Sequence, residues 1–167
     1  PVGLMSMRSL GSTGPASVGR ALVQAAAEIL SAMVLIQLVA PGAPVFYSVV
    51  FSVTHPRTAE YINAIPEKFL VHCAAVQIAH DWRIPLLAGG FGAPRVDPAG
   101  WTYGRDSVYT ALLTAMAGAD MVVGLGLRGA STLLAPEQII LDQEICHINR
   151  APPLHAGRPG SCPGPAA

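Results

Sequence analysis

Charge is what this 167-residue sequence lacks most. Only 12% of its residues are charged, about half the share usual in soluble domains. Ten Lys+Arg balance ten Asp+Glu, so the formal net charge is zero. Lys68 is the one lysine, and no cluster of basic residues occurs anywhere. Nucleic-acid binding through a basic face is therefore excluded as an expectation. Cysteine is scarce too: Cys73, Cys146 and Cys162 are an odd, widely spaced set, which argues against a disulfide framework and for a reducing, cytoplasmic setting. His72-Cys73 and Cys146-His147 are sequence neighbours, and neighbours on a helix point about 100° apart. With no CxxC or HxxxH beside them, no metal site is expected. Long apolar runs are also missing. The longest, Ile29 to Ala40, is interrupted by Ser31 and Gln37, whereas a membrane span needs about 20 mostly apolar residues. No basic segment precedes an apolar one at the N-terminus, so neither a signal peptide nor a membrane anchor is expected.

What is present is apolar. Hydrophobic residues make up 51% and mean hydropathy is +0.46, so the chain is not of the disordered class. So little charge on a free-standing domain implies a surface that something else covers.

Periodicity divides the chain into repeating units. Pro1 to Met7 reads as a strand, and Ser17 as the cap of a helix from Val18 to Val39 that Pro41-Gly42 ends. Pro44 to Val50 is β-branched and aromatic, a second strand. A long loop, Phe51 to Ile65, leads to Pro66, which opens a helix ending near Trp82. Ile84 to Ala88 is a third strand, about Tyr103 to Ala117 a helix, Met121 to Val123 a fourth strand, and Pro136 opens a last helix. Residues 151 to 167 are mostly Pro, Gly and Ala without periodicity, which predicts a disordered tail. The βαβαβαβα order with short, wholly apolar strands predicts parallel pairing. Two architectures satisfy it: half of a (β/α)8 barrel, which needs about 250 residues when complete, or an open doubly wound sheet.

In both architectures ligands meet the C-terminal ends of the strands. Those ends are glycine-rich here: Gly11 to Gly14, Gly89-Gly90-Phe91-Gly92, and Gly124-Leu125-Gly126. Glycine allows close approach of backbone to a ligand, and equally makes a plain turn. A phosphate site would use amides from these loops, but neither GxxxxGK[ST] nor a GxGxxG opening a helix after a strand occurs. A nucleotide-binding α/β module is thus the weaker alternative. Ser12 and Thr13 end the first strand, where they could donate to a ligand or simply cap the next helix, and His55 sits in the long second loop. Asp142 and Glu144 are two apart on a helix and read as surface or helix–helix contacts. No GxSxG nucleophile elbow is present, so the residues alone name no catalytic group.

An ordered set of segments resembles the trimethylamine methyltransferase family. It comprises GSTGPASVGRALVQAAAEIL (Gly11 to Leu30), QLVAPGAPVFYS (Gln37 to Ser48), RTAEY (Arg57 to Tyr61), PEKFLVHCAAVQIA (Pro66 to Ala79), IPLLAGG, MAGADMVVGLGL, and PEQIILDQEI (Pro136 to Ile145). The resemblance spans roughly residues 1–150 and implies the C-terminal half of a TIM barrel. It further implies transfer of a methyl group from a tertiary or quaternary methylamine to the cobalt of a separate corrinoid protein. No cofactor would then be bound directly, cobalamin being carried by that partner. Substrate contacts would come from strand ends and loops: Ser12, Thr13, Phe46, Tyr47, His55, Gly89, Gly90, Phe91, Gly124 and Gly126. Strand alternation lets only one of Phe46 and Tyr47 face a barrel interior. The segment APRVDPAGWTYGRD (Ala93 to Asp106) departs from the polar stretch of the family, with Arg95 where a lysine is usual, and this puts trimethylamine itself in doubt as substrate. A half barrel on its own would be a fragment active only by association, and self-association through its open edges is expected.

Overall fold

The computed structural model describes residues 1–59, 61–62, 65–91, 101–129 and 132–149. The expected tail and most of the Ala93–Asp106 segment, including Arg95, lie outside them. Four long units succeed one another: β1 (Val2–Leu10) and α1 (Val18–Val39), β2 (Val45–Thr54) and α2 (Pro66–Trp82) with a short β3 (Tyr61–Ile62) between, β4 (Leu86–Gly89) and α3 (Trp101–Ala117), then β5 (Met121–Val123) and α4 (Pro136–Asn149). A small hairpin, β6 (Leu127–Arg128) and β7 (Leu133–Leu134), precedes α4.

β1, β2, β4 and β5 form one parallel sheet in that spatial order. Each new strand is laid beside the previous one, and right-handed crossovers then place every helix on the same face. α1 and α2 pack on that face and on each other, and α3 continues the layer beside α2. The order never reverses, so the switch point that defines a doubly wound sheet is missing among the described residues.

The core lies between sheet and helices. Tyr47, Val49 and Phe51 of β2, with Leu86 and Ala88 of β4, meet Ala21, Ala25 and Ile29 of α1 and Val71, Ala75, Val76 and Ala79 of α2. The alternate residues Met5, Met7, Ser48, Val50, Ser52, Leu87, Gly89, Met121 and Val123 face the other way by strand alternation. Among the described residues no helix covers that face, and Met7 is 69% exposed.

Local chemistry explains where elements differ from expectation. β2 continues four residues beyond Val50, because Phe51, Ser52 and Val53 pair with Arg8, Ser9 and Leu10 at the end of a β1 that is longer than Pro1–Met7. Ser17 does precede α1, but its side chain makes no cap hydrogen bond. Gln37, a break in the apolar run, closes the helix instead. Its side chain donates to the Ala43 carbonyl at 2.8 Å and accepts from the Gly42 amide at 2.9 Å, where the left-handed Gly42 reverses the chain. α1 is 22 residues long and apolar enough to reach the length of a membrane span, more than the run Ile29–Ala40 suggests. Its inner stripe belongs to the core.

Candidate active site

Parallel pairing brings four strand ends to one rim. Ser9 stands beside Ser52, Leu10 beside Val53, and Gly89 beside Val123. Thr54 ends β2, and its hydroxyl hydrogen-bonds that of Ser9 across the two strands.

The first loop is a closed turn. The amides of Gly11, Ser12 and Gly14 donate to carbonyls within residues 9–14. Thr13 Oγ1 accepts the Ser9 amide at 2.9 Å, and the Arg8 guanidinium donates to the Thr13 carbonyl at 3.0 Å. Ser12 stands exposed at the tip. In the second loop His55 Nδ1 accepts the amides of Arg57 and Thr58, each at 3.3 Å. The imidazole is thus half-buried and caps a turn rather than standing free in solvent.

The glycines at the other two ends are packed against protein. The amides of Gly90 and Phe91 both donate to the Val123 carbonyl, at 3.2 and 3.0 Å. A Cβ on Gly90 would collide with Val122, and one on Gly124, held at φ +106°, would collide with the Phe91 carbonyl oxygen. The Gly126 amide donates to Asp142 at 2.8 Å. These amides are therefore spent internally, and they do not form the anion cradle that a phosphate site requires.

The aromatic expectations need correcting. Tyr47 points into the helix layer, where it is fully buried and its ring meets Trp82 edge-on at 5.7 Å. Phe46 faces the uncovered side with its ring against Gly3. It is the second residue of β2, eight positions before Thr54, hence roughly 26 Å from the rim at strand rise. Phe91 is buried on the helix side. There it lines a cleft of about 450 Å³ with Ala111, Ala115, Val122, Leu125 and Cys146. None of the three rings forms a cage at the strand ends.

A pair of basic side chains lies under the rim. The buried stripe of α2 runs Lys68, His72, Ala75/Val76, Ala79, one side chain per turn along the sheet-facing side. Pairing of β2 with β4 ends at Val49 and Ala88, and His72 enters the gap beyond. Its Nε2 accepts the Phe51 amide at 3.2 Å, in place of a strand partner. Burial, helped by the charge of Lys68, pushes the His72 pKa down to about 3, and burial brings Lys68 down to about 8. The imidazole is therefore neutral at pH 7.

A second buried group holds the last loop. Asp142 of α4 is fully buried. It accepts the Tyr103 hydroxyl at 3.1–3.2 Å, Gln138 Nε2 at 3.0 Å and the Gly126 amide. Burial, followed by lesser effects that include Asp142, raises the Tyr103 pKa to about 12. Glu144 stays on the surface, whereas Asp142 ties α3, α4 and the loop after β5 together.

The trimethylamine methyltransferase family matches residues 1–152 of this sequence. The chain belongs to that family. The trimethylamine methyltransferase of Methanosarcina thermophila is 30% identical over 145 residues, covering 87% of this chain and 30% of the relative. A proline betaine:corrinoid methyltransferase of Eubacterium limosum is 28% identical over 149 residues, covering 89% of this chain and 30% of that protein. A trimethylamine methyltransferase of Desulfitobacterium hafniense is 27% identical over 149 residues, with 89% and 30% covered. The chain thus spans about a third of the length of the curated relatives it matches.

Within this member of the trimethylamine methyltransferase family, sequence reasoning gave no site role to Lys68, His72, Tyr103, Gln138 and Asp142, and read Asp142 as a surface or helix–helix contact. Two signals were available. Lys68 is the one lysine in the chain, and its i+4 neighbour is a histidine on an otherwise apolar stripe. Gln138 and Asp142 are likewise i, i+4 on α4.

Proposed function

We propose that the chain forms part of a (β/α)8 barrel and contributes to a methyltransferase that moves a methyl group from a tertiary or quaternary methylamine to the cobalt of a corrinoid protein. Family membership over residues 1–152 carries this reading. The consecutive parallel sheet, with helices on one face and no described helix on the other, supports it as a barrel segment.

The rim suits the chemistry. A quaternary ammonium already has an activated methyl group and leaves as a neutral amine, so no proton need be supplied to it. The corrinoid of the partner protein supplies the attacking metal. The residues of this chain bind, orient and keep space. Ser9 and Thr54 place hydroxyls at the mouth, and His55 and Thr13 fix the loops around it. Rigid positioning of two reactants is worth several powers of ten in rate. Positive charge disappears from nitrogen as the methyl leaves, so a tight aromatic cage would hold the ground state more than the transition state. The displacement of Phe46, Tyr47 and Phe91 from the rim fits that requirement.

The polypeptide carrying this sequence is to be mixed with a reduced corrinoid protein and a panel of tertiary and quaternary methylamines, and methylcobalt formation followed by absorbance. Formation with at least one amine is expected. None across the panel would overturn the methyltransferase reading.

A further inference from the structure

One row of Cα partners crosses the whole parallel sheet: Ser6, Val49, Ala88 and Val122. These are the fifth, fifth, third and second residues of β1, β2, β4 and β5. The row therefore slides toward the strand starts as it crosses the sheet. A closed eight-stranded barrel slips by about eight residues in a full circuit, and so by about four over half of it. Four residues before Ser6 is Val2, the first residue of β1. A second β1 laid parallel against β5 thus sets its Val2 beside Val122. Partners in a parallel pair face the same side of the sheet, so that Val2 points to the helix side, as Val122 does. There the cleft of about 450 Å³ opens, lined by Ala111, Ala115, Val122, Leu125 and Cys146. Val2 is apolar and 45% exposed. Neither strand carries the charges that usually guard an edge. β5 has none, and Arg8 of β1 turns in to pair with Glu28 of α1.

We propose that two copies of this chain close one eight-stranded barrel, with β5 of each paired parallel to β1 of the other and Val2 seated in the cleft. The two-fold axis is then the barrel axis, and both seams are the same β5–β1 contact. Pairing of like edges about a two-fold axis would run antiparallel and leave the cleft empty. Closure pairs the backbone groups of both edges at once. It also encloses Met5, Met7 and Met121, which are exposed on the face that no described helix covers. The strand ends of both copies then share one mouth. The hydroxyl pair of Ser9 and Thr54 occurs there twice, and the site is whole only in the dimer. This inference rests on the reading of the chain as a barrel segment and adds what completes it.

Cross-linking tests the seam. Val2→Cys and Val122→Cys variants of the purified chain are mixed and mildly oxidised, and linked cysteines are mapped by mass spectrometry. Within one copy the two positions are three strand spacings apart, about 14 Å or more, whereas across the seam they are about 5 Å apart, within reach of a disulfide. A disulfide joining residue 2 of one copy to residue 122 of the other is expected as the main product, with the dimer as the largest species in sedimentation. Links of 2 to 2 or 122 to 122 in its place, no link at all, or growth beyond the dimer would overturn closure. The native chain gives a reading that needs no variant. Hydrogen exchange in Val2–Met7 and in Met121–Val123 should slow at least tenfold from dilute monomer to concentrated dimer. Slowing at one strand alone, or at neither, would overturn closure as well. A linked dimer that transfers no methyl group would keep the barrel and remove the methyltransferase. Methyl transfer by a monomer would do the reverse.

Discussion

At the scale of single residues, His72 makes a prediction with a definite sign. Its folded pKa of about 3 lies below the ordinary 6.5. Between those values the unfolded chain takes up a proton that the native chain refuses, so stability is full above pH 6.5 and falls with pH. Lowering pH from 7 to 5 should cost about 2 kcal/mol through this group. Urea unfolding of the native sequence against His72→Gln across that range is the check, and the variant should show a flatter profile. Lys68 acts in the same direction over a higher window, from about 8 to its ordinary 10.5. Gly124 gives a second prediction. At φ +106° with the Phe91 carbonyl in the way, Gly124→Ala should lose about 3 kcal/mol or more, read from the denaturation midpoint. Residues of these two kinds differ in how far the sequence exposes them. The strand-end glycines stand out in the sequence, yet whether they face a ligand or their own protein depends on the neighbouring strand. The i, i+4 spacing of Lys68 and His72 is legible in the sequence, but their burial is not, since it depends on where the pairing of β2 with β4 ends. The side that Tyr47 takes is likewise settled by pairing, since alternation fixes only that Phe46 takes the other.

At the scale of elements, the four long units follow from hydrophobic period, proline starts and glycine stops. The boundaries of α1 and β5 are as read from the sequence. What period does not carry is the length of a strand whose end is set by its partner, hence the extension of β2, nor pairings of two residues such as β3 on β2 and β6 with β7. The β6–β7 hairpin is tied down by contacts remote in sequence, at Gly126 and Leu127. The loop after β5 is the clearest case, since Asp142 gathers three donors from α3, α4 and the loop itself. Asp142→Ala should leave the Tyr103 hydroxyl, the Gln138 amide and the Gly126 amide without an acceptor and cost about 3 kcal/mol. Tyr103→Phe removes one hydrogen bond and should cost about 1 kcal/mol. In a double-mutant cycle the two should be strongly non-additive, because they share one carboxylate. Additive effects would show that Tyr103 and Asp142 act independently.

For the molecule as a whole, the question is which uncovered surface finds a partner. Among the described residues β1 pairs with β2 alone among the strands and β5 with β4 alone, so both outer strands present unpaired backbone groups, and β1 does so up to Ser9, where its own loop takes over. The sheet face between them carries Met5, Met7 and Met121, all exposed. A second apolar surface lies on the outer side of α1, where Val23, Leu30, Val34 and Leu38 recur at helical spacing and are exposed. The low charge of the sequence leaves little to keep either surface apart from another molecule. The two differ in what association would satisfy. The helix face would bury side chains only, whereas the sheet edge would also pair backbone donors and acceptors that water otherwise occupies. Concentration-dependent self-association is therefore expected to run through the sheet. Sedimentation velocity on single lysine substitutions separates the surfaces. Met7→Lys should weaken association at least tenfold, while Val34→Lys should change it by less than twofold. The opposite ranking would assign association to α1. A monomer at every concentration would mean that the open sheet is stable uncovered, which counts against a barrel segment.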